Sequence, residues 1–116
     1  MASRQSTVDY ILEQIVNAGN VSSRKMFGEY ALYCDTKVVA LVCDDQLFVK
    51  PTTAGKAFIG TVVEAAPYSG SKPYFLISGE EWDDSQWLAQ LIRISAEALP
   101  LPKQKKTAES RRKKTK

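Results

Sequence analysis

The amino-acid sequence predicts an α+β domain of two layers, an antiparallel sheet of about five strands with the N- and C-terminal helices packed on it. Apolar residues recur at helical spacing near the N-terminus and again before residue 100. The stretch between them has the period of two and the short turns of strands. Helices at both ends of a run of strands favour the α+β class.

The first helix is predicted to begin near residue 6. Ser6 is suited to the N-cap, and Asp9, three residues later, can bind the free backbone amides of the first turn. Gly19 is suited to the left-handed position that often follows a helix. An apolar stripe at spacings of three and four residues should face the core, and it consists of Val8, Ile11, Leu12, Ile15 and Val16.

Three strands joined by short turns are predicted for residues 29–50. Tyr30, Leu32 and Cys34 alternate with their neighbours at the period of two that indicates a half-buried strand. The next strand is apolar and rich in valine, as a central strand would be. The strands are residues 29–34, 37–43 and 46–50, with Asp35-Thr36 and Asp44-Asp45 at the hairpin turns.

The second half of the chain predicts a short helix, two strands and a long helix. The long helix has the clearest signals, with Asp83 as N-cap, Gln86 completing a capping box, and Trp82 and Trp87 forming a hydrophobic staple. Its buried stripe consists of Leu88, Leu91, Ile92, Ala96 and Leu99. The other elements are a helix over residues 53–59, weakened by Gly55, and strands over residues 62–66 and 73–77.

Three short motifs connect the chain to a known family. They are Arg24-Lys25-Met26-Phe27-Gly28-Glu29-Tyr30-Ala31-Leu32-Tyr33, Leu47-Phe48-Val49-Lys50 and Lys72-Pro73-Tyr74-Phe75. Together they resemble the TfoX N-terminal domain family, typified by the TfoX/Sxy regulators of bacterial natural competence, over about residues 6–99. The resemblance implies a two-layer fold and a regulatory or interaction role as an accessory to transcription control. Full-length TfoX proteins have a second, C-terminal domain, and this chain has a basic tail in its place.

The net charge of +3 conceals two segments of opposite sign. Residues 103–116 contain eight basic residues and only Glu109 as an acid, a net charge of +7. The other residues carry eight basic and twelve acidic groups, a net charge of −4. We therefore predict a folded domain over residues 1–102 and a disordered basic tail over residues 103–116, because the tail is too polar to stabilise an ordered structure.

Several classes of active site are excluded by composition. The chain has no histidine, which removes the commonest general base, and its two cysteines cannot form a structural zinc site that normally needs four Cys or His ligands. The acidic pairs Asp44-Asp45 and Asp83-Asp84 could bind a divalent cation, but turn and helix-cap roles explain them better. No metal, cofactor or catalytic residue is predicted. Cys34 and Cys43 should lie far apart as buried free thiols, which fits a reducing compartment.

A contact surface for a partner is predicted from the cations in the three motifs. Each cation lies beside aromatic or backbone-forming residues, and we expect the set to lie near one edge of the sheet. The residues are Arg24, Lys25, Phe27, Gly28, Lys50, Lys72 and Tyr74. Met26 and Tyr30 could belong to this surface, but a place in the core is favoured for both because such residues are often buried.

The tail is the second candidate binding element. Its cations can bind nucleic-acid phosphates, and the alternatives are a solubilising role or contact with an acidic protein. They are Lys103, Lys105, Lys106, Arg111, Arg112, Lys113, Lys114 and Lys116.

The sequence favours a cytoplasmic, non-enzymatic regulatory or interaction domain of bacterial origin. Its expected partners are a protein in a regulatory complex and nucleic acid, and a homodimer remains open. The longest apolar run, residues 38–43, is far shorter than the roughly 20 residues of a membrane span, and no secretion signal precedes residue 10. The alternative is an enzyme or small-ligand-binding protein that has a pocket of lysine, tyrosine and carboxylate groups at the sheet edge.

Overall fold

A six-stranded antiparallel sheet forms the centre of the molecule. The computed structural model describes residues 3–26 and 29–100. The strands lie in the order β1-β2-β3-β4-β6-β5, so the first four form a meander and β6 lies between β4 and β5. The strands are β1 (Val21–Met26), β2 (Glu29–Cys34), β3 (Lys37–Cys43), β4 (Gln46–Val49), β5 (Glu64–Ala65) and β6 (Tyr74–Ile77). The helices are α1 (Gln5–Gln14), α2 (Thr53–Ile59), α3 (Gly79–Trp82) and α4 (Ser85–Ala98).

The predicted α+β class is confirmed, with six strands in place of about five. The main core lies on one face of the sheet, where α1 and α4 contribute the buried residues Val8, Ile11, Leu88 and Leu91. The hydrogen-bonded register places Leu32, Val42, Leu47 and Ile77 on that same face, because residues directly opposite in neighbouring strands share a face. None of the described helices is long and apolar enough to span a bilayer.

The start and end of α1 differ from the prediction. The N-cap is Arg4, not Ser6, and the Arg4 backbone amide donates to Asp45 Oδ1 at 2.8 Å. The buried stripe is confirmed for Val8, Ile11 and Ile15, but Val16 is 59% exposed. The α-helix ends before Val16, so the spacing of three and four residues no longer applies there. A 3₁₀ turn over Val16–Ala18 follows instead.

The strand β1 is absent from the prediction. Its sequence is polar, and only Val21 and Ser23 are partly covered while the other four residues are exposed. An edge strand has one hydrogen-bonded neighbour and needs little burial, so it leaves no alternating apolar pattern in the sequence.

Both predicted hairpin turns are present. Asp35 and Thr36 have φ values of 52° and 72°, and Asp44 and Asp45 have 54° and 58°. Positive φ at both central residues is the requirement of a type I′ turn, which explains why such turns usually contain Asn-Gly.

The helix α4 begins one residue later than predicted. Its N-cap is Asp84, whose carboxylate accepts a hydrogen bond from the Trp87 amide at 3.2 Å, so the proposed roles of Asp83 and Gln86 are wrong. The capping box belongs instead to α3, where Ser78 and Glu81 bond reciprocally.

The predicted tryptophan staple is also wrong. Trp87 stacks on Phe58 of α2, with the ring centroids 5.6 Å apart, and Trp82 donates its indole N–H to the Ile77 carbonyl at 3.0 Å. With the cap at Asp84, the fourth helical residue is Leu88, so Trp87 is no longer at the staple position.

The remaining elements match the prediction in position. The α2 helix forms as expected, and Thr52 caps it by accepting the Gly55 amide at 2.9 Å. A Cβ at Gly55 would lie 2.8 Å from the capping Thr52 Oγ1, which is too close, and 3.5 Å from Ser95 Oγ, an ordinary contact, so glycine leaves room for the Thr52 cap. The strand predicted over residues 62–66 is reduced to the two residues of β5. Both cysteines are buried and free, as predicted.

Candidate functional site

The outer edge of β1 is the first candidate site. Among the strands of the described residues, β1 pairs only with β2, and its two cations lie on different faces. Arg24 is opposite Ala31 and Lys25 is opposite Tyr30, so Arg24 lies on the face without α1 and α4 and Lys25 on the face with them. Both residues are exposed, and neither belongs to a salt bridge within residues 3–26 and 29–100.

Alternate backbone groups of β1 point away from the sheet. The Asp35 amide donates to the Asn20 carbonyl at 2.9 Å, which makes Asn20 and Asp35 a hydrogen-bonded pair. Hydrogen-bonded and non-hydrogen-bonded pairs alternate along an antiparallel ladder. The amide and carbonyl groups of Val21, Ser23 and Lys25 therefore point outward, and those of the residues between them bond to β2.

The predicted cations do not share one edge. Lys50 follows β4 and Lys72 precedes β6, and both strands lie inside the sheet. β1 and β4 are separated by three strand spacings, about 14 Å. The expectation of a single edge is therefore wrong, because the strand order separates the motifs. Phe27 and Gly28 lie outside the described residues.

The structure brings Lys50 and Tyr74 together on the open face of the sheet, the face opposite α1 and α4. Each lies one residue beyond the Val49–Phe75 pair of β4 and β6. Both line a cleft of about 580 Å³, which we call the open-face cleft. Its lining residues are Met26, Glu29, Tyr30, Val38, Leu41, Cys43, Lys50, Tyr68 and Tyr74.

The floor of the open-face cleft is apolar. Leu41 is opposite Ala31 and Phe48, and Ala31 and Phe48 are buried although they lie on the face opposite α1 and α4. Met26 is 36% exposed and lines the cleft, so the favoured core position is wrong for Met26. The core position is confirmed for Tyr30, which is 7% exposed and donates its hydroxyl to Gln5 Oε1 at 3.0 Å.

The titratable groups of this cleft are suited to binding and not to nucleophilic attack. Burial raises the pKa of the Cys43 thiol to about 11, and the nearby Glu29 and Asp44 carboxylates add to the shift. Burial also raises the pKa of the Tyr74 hydroxyl, with smaller contributions from Tyr68 and Cys43. Both groups are therefore protonated at neutral pH, and a protonated thiol is a weak nucleophile.

Glu29 has a structural role at the other end of the cleft. Its Oε1 accepts the Ser3 amide at 2.9 Å and the Ser3 hydroxyl at 2.6 Å, and its Oε2 accepts the Asp44 amide at 3.1 Å. The Ser3 hydroxyl in turn accepts the Asp45 amide at 2.9 Å. Both Glu29 oxygens are thus engaged in attaching the N-terminal segment to the β3–β4 turn.

A second cleft, of about 680 Å³, lies where β6 meets α3. Asp45, Glu80 and Glu81 line it together with apolar residues. Glu81 Oε1 already accepts the Ser78 amide at 3.2 Å as part of the capping box. Across the described part of the chain, no group of three metal-ligating side chains converges.

Comparison with known proteins assigns the fold to a family. The family model of the TfoX N-terminal domain matches residues 13–99. The chain belongs to the TfoX N-terminal domain family. It is also 37% identical over 106 residues to an uncharacterized 12.7 kDa protein from the trpE 5′ region of Spirochaeta aurantia, an alignment that covers 91% of each chain. The family suggests a regulatory domain.

The open-face cleft has a signal in the sequence that the prediction did not use. β3 carries apolar residues at successive positions, so both of its faces are apolar, and two helices on one side of the sheet can cover only one of them. The apolar residues Val38 and Leu41 on the uncovered face mark the cleft.

Proposed function

We propose that this TfoX N-terminal domain is a non-enzymatic regulatory module, an accessory to transcription control that binds a partner protein by strand addition at β1. The observation that carries the proposal is the outer edge of β1, where the backbone groups of Val21, Ser23 and Lys25 point away from the sheet. A peptide in extended conformation can add to such an edge through main-chain hydrogen bonds.

The positive charges on the β1 edge indicate an acidic partner segment. Arg24 and Lys25 are exposed and lie on opposite faces of β1, so an added strand would meet one cation on each face. An extended segment with carboxylates on both faces matches this arrangement, and opposite charges on neighbouring strands stabilise the pair. If these cations served stability alone they would contribute little, since exposed ion pairs are worth about 0–1 kcal/mol.

A proline substitution tests strand addition directly. Ser23→Pro removes an outward-pointing N–H without removing a bond to β2, and proline is tolerated at such edge positions. The probe is a short synthetic peptide of repeated Thr-Thr-Glu-Glu units, which in an extended strand places carboxylates on both faces. It is titrated into the isotope-labelled protein while amide shifts are recorded. We expect shifts at Val21, Ser23 and Lys25, and loss of binding in Ser23→Pro.

Ser23→Ala is the matched control, because it keeps the backbone donor and should bind as the unaltered protein does. A second control is the same peptide with lysine in place of glutamate, which should not bind. Equal binding by Ser23→Pro and Ser23→Ala, with both proteins folded by circular dichroism, would show that β1 does not add a strand.

Nucleic-acid binding through residues 103–116 is the second candidate function. The observation that favours it is the net charge of +7 on this segment beside a domain of net charge −4. These residues lie outside the part of the chain that the structure describes. Such a cationic segment binds phosphates with release of counterions and without sequence preference. A bacterial cytoplasm is the proposed setting, which the two free cysteines support.

A further inference from the structure

The open-face cleft contains a cation with no acidic partner. Lys50 is half-buried at the end of β4, and among residues 3–26 and 29–100 it forms no salt bridge. Within the described part of the chain, Glu29 is the only carboxylate that lines the same cleft, and its oxygens already accept three hydrogen bonds. An anion at Lys50 would therefore gain an attraction that none of the described side chains of the cleft supplies.

The two ends of the open-face cleft differ in chemistry. Glu29 is in register with Cys43 on the next strand, and Lys50 lies beside Val39, four residues further along β3. Four residues of strand span about 13 Å. Leu41 lies between these ends, Val38 and Tyr74 lie at the Lys50 end, and Tyr68 also lines the cleft. The cleft thus combines one cation at one end with an apolar floor.

We propose that the open-face cleft binds an amphipathic organic carboxylate. The carboxylate meets Lys50, the Tyr74 hydroxyl donates to it, and the apolar body of the ligand lies on Val38 and Leu41 toward Cys43. The cleft volume of about 580 Å³ lies in the range of small-molecule sites, about 300–1,000 Å³. Met26 of β1 lines the cleft, but the proposal uses Lys50, Tyr74, Val38 and Leu41, none of which belongs to β1, so either proposal can fail without the other.

A matched set of ten-carbon probes tests the proposal. Decanoate, decanol and decyltrimethylammonium share one apolar body and differ in head-group charge, and each is titrated below its micelle concentration. Methyl shifts of Val38 and Leu41 report the site. We expect decanoate to bind at least about tenfold more tightly than decanol, a difference of about 1.4 kcal/mol.

Variants at Lys50 separate charge from apolar contact. Lys50→Met keeps the length of the side chain and should weaken decanoate about tenfold while leaving decanol within about twofold, because only the charge attraction is lost. Lys50→Glu should transfer the preference to decyltrimethylammonium. Lys56→Met, on the exposed surface of α2, is the control and should bind all three probes as the unaltered protein does.

Tyr68→Ala provides a variant that keeps the charge. Tyr68 is 59% exposed and lines the cleft, so its loss should weaken decanoate and decanol equally without unfolding the domain. Three results would each overturn the proposal: equal affinity for decanoate and decanol in the unaltered protein, undiminished decanoate binding by Lys50→Met, or decanoate shifts that avoid Val38 and Leu41.

Discussion

At the scale of single residues, Ser95 is the least expected member of the core. It is fully buried on α4, and its hydroxyl has no hydrogen-bond partner among the residues that the structure describes. Its neighbour across the helix–helix contact is Gly55, where a Cβ would lie 3.5 Å from the Ser95 hydroxyl oxygen. A buried hydroxyl without a partner costs about 1–3 kcal/mol.

Replacing this hydroxyl should stabilise the protein. Ser95→Ala removes the unpaired group and keeps the Cβ, so we expect the free energy of unfolding to rise by about 1 kcal/mol. Urea melts followed by circular dichroism measure the change. Ser85→Ala, at an exposed position of the same helix, is the control and should change stability by less than about 0.5 kcal/mol. A less stable Ser95→Ala protein would mean that the hydroxyl has a partner.

At the scale of elements, the start of α1 depends on the β3–β4 turn. Asp45 accepts the Arg4 amide at 2.8 Å and lies 3.2 Å from Arg4 Nε. These contacts replace the side-chain cap that α1 lacks. The hydrogen bond from the Arg4 amide is the main cause that lowers the pKa of Asp45, and the Arg4 charge adds to it. The turn therefore both reverses the chain and holds the first helix.

The lowered pKa of Asp45 predicts a pH dependence. A carboxyl whose pKa falls on folding stabilises the protein above its unfolded pKa of 3.8, and this contribution is lost as the pH falls through the folded value. Asp45→Asn should therefore be less stable than the unaltered protein near neutral pH, and the difference should shrink in acid below that range. Thermal melts across pH measure it, with Asp9→Asn as an exposed control on α1. A difference that stays constant into strong acid would contradict this role.

Elements that bury many apolar residues could be predicted from the sequence, and the polar edge strand β1 could not. α1 and α4 bury one face, and β2 and β3 bury apolar residues on both faces, so all four elements are visible in the residue order. β1 buries almost nothing and was missed. The cap of α4 was misplaced by one residue because Asp83 and Asp84 have the same capping chemistry, and only the helix geometry distinguishes them.

At the scale of the whole molecule, the candidate site depends on contacts between distant parts of the chain, which the residue order does not reveal. Lys50 and Tyr74 meet because β6 pairs with β4, a non-local pairing that no local pattern encodes. Arg24 and Lys25 were expected to act together, yet adjacent residues of a strand face opposite sides. The tail could be recognised from composition alone, since charge is a property of the sequence.

The separation of charge along the chain predicts that the tail, residues 103–116, accounts for nucleic-acid binding. Removing residues 103–116 takes away a net charge of +7 and leaves a domain of net charge −4. We expect the shortened chain to lose DNA and RNA binding in a gel-shift assay and to keep its melting temperature, because binding of this kind depends on cations that release counterions. A chain with the tail lysines and arginines replaced by glutamine is the control for length. If the shortened chain bound as tightly as the intact one, the tail would have no role in binding.

The order of the strands also sets the order in which the sheet can assemble. β1 to β4 are neighbours both in the chain and in the sheet, so their contacts are local and form quickly during folding. β6 follows α2 and β5 in the chain, so it can pair with β4 only after both have been synthesised. Until then Leu47, Phe48 and Val49 belong to an unpaired apolar edge. Unpaired strand edges of this kind favour aggregation. During synthesis, the most vulnerable moment of this protein is therefore the interval between the emergence of β4 and the arrival of β6.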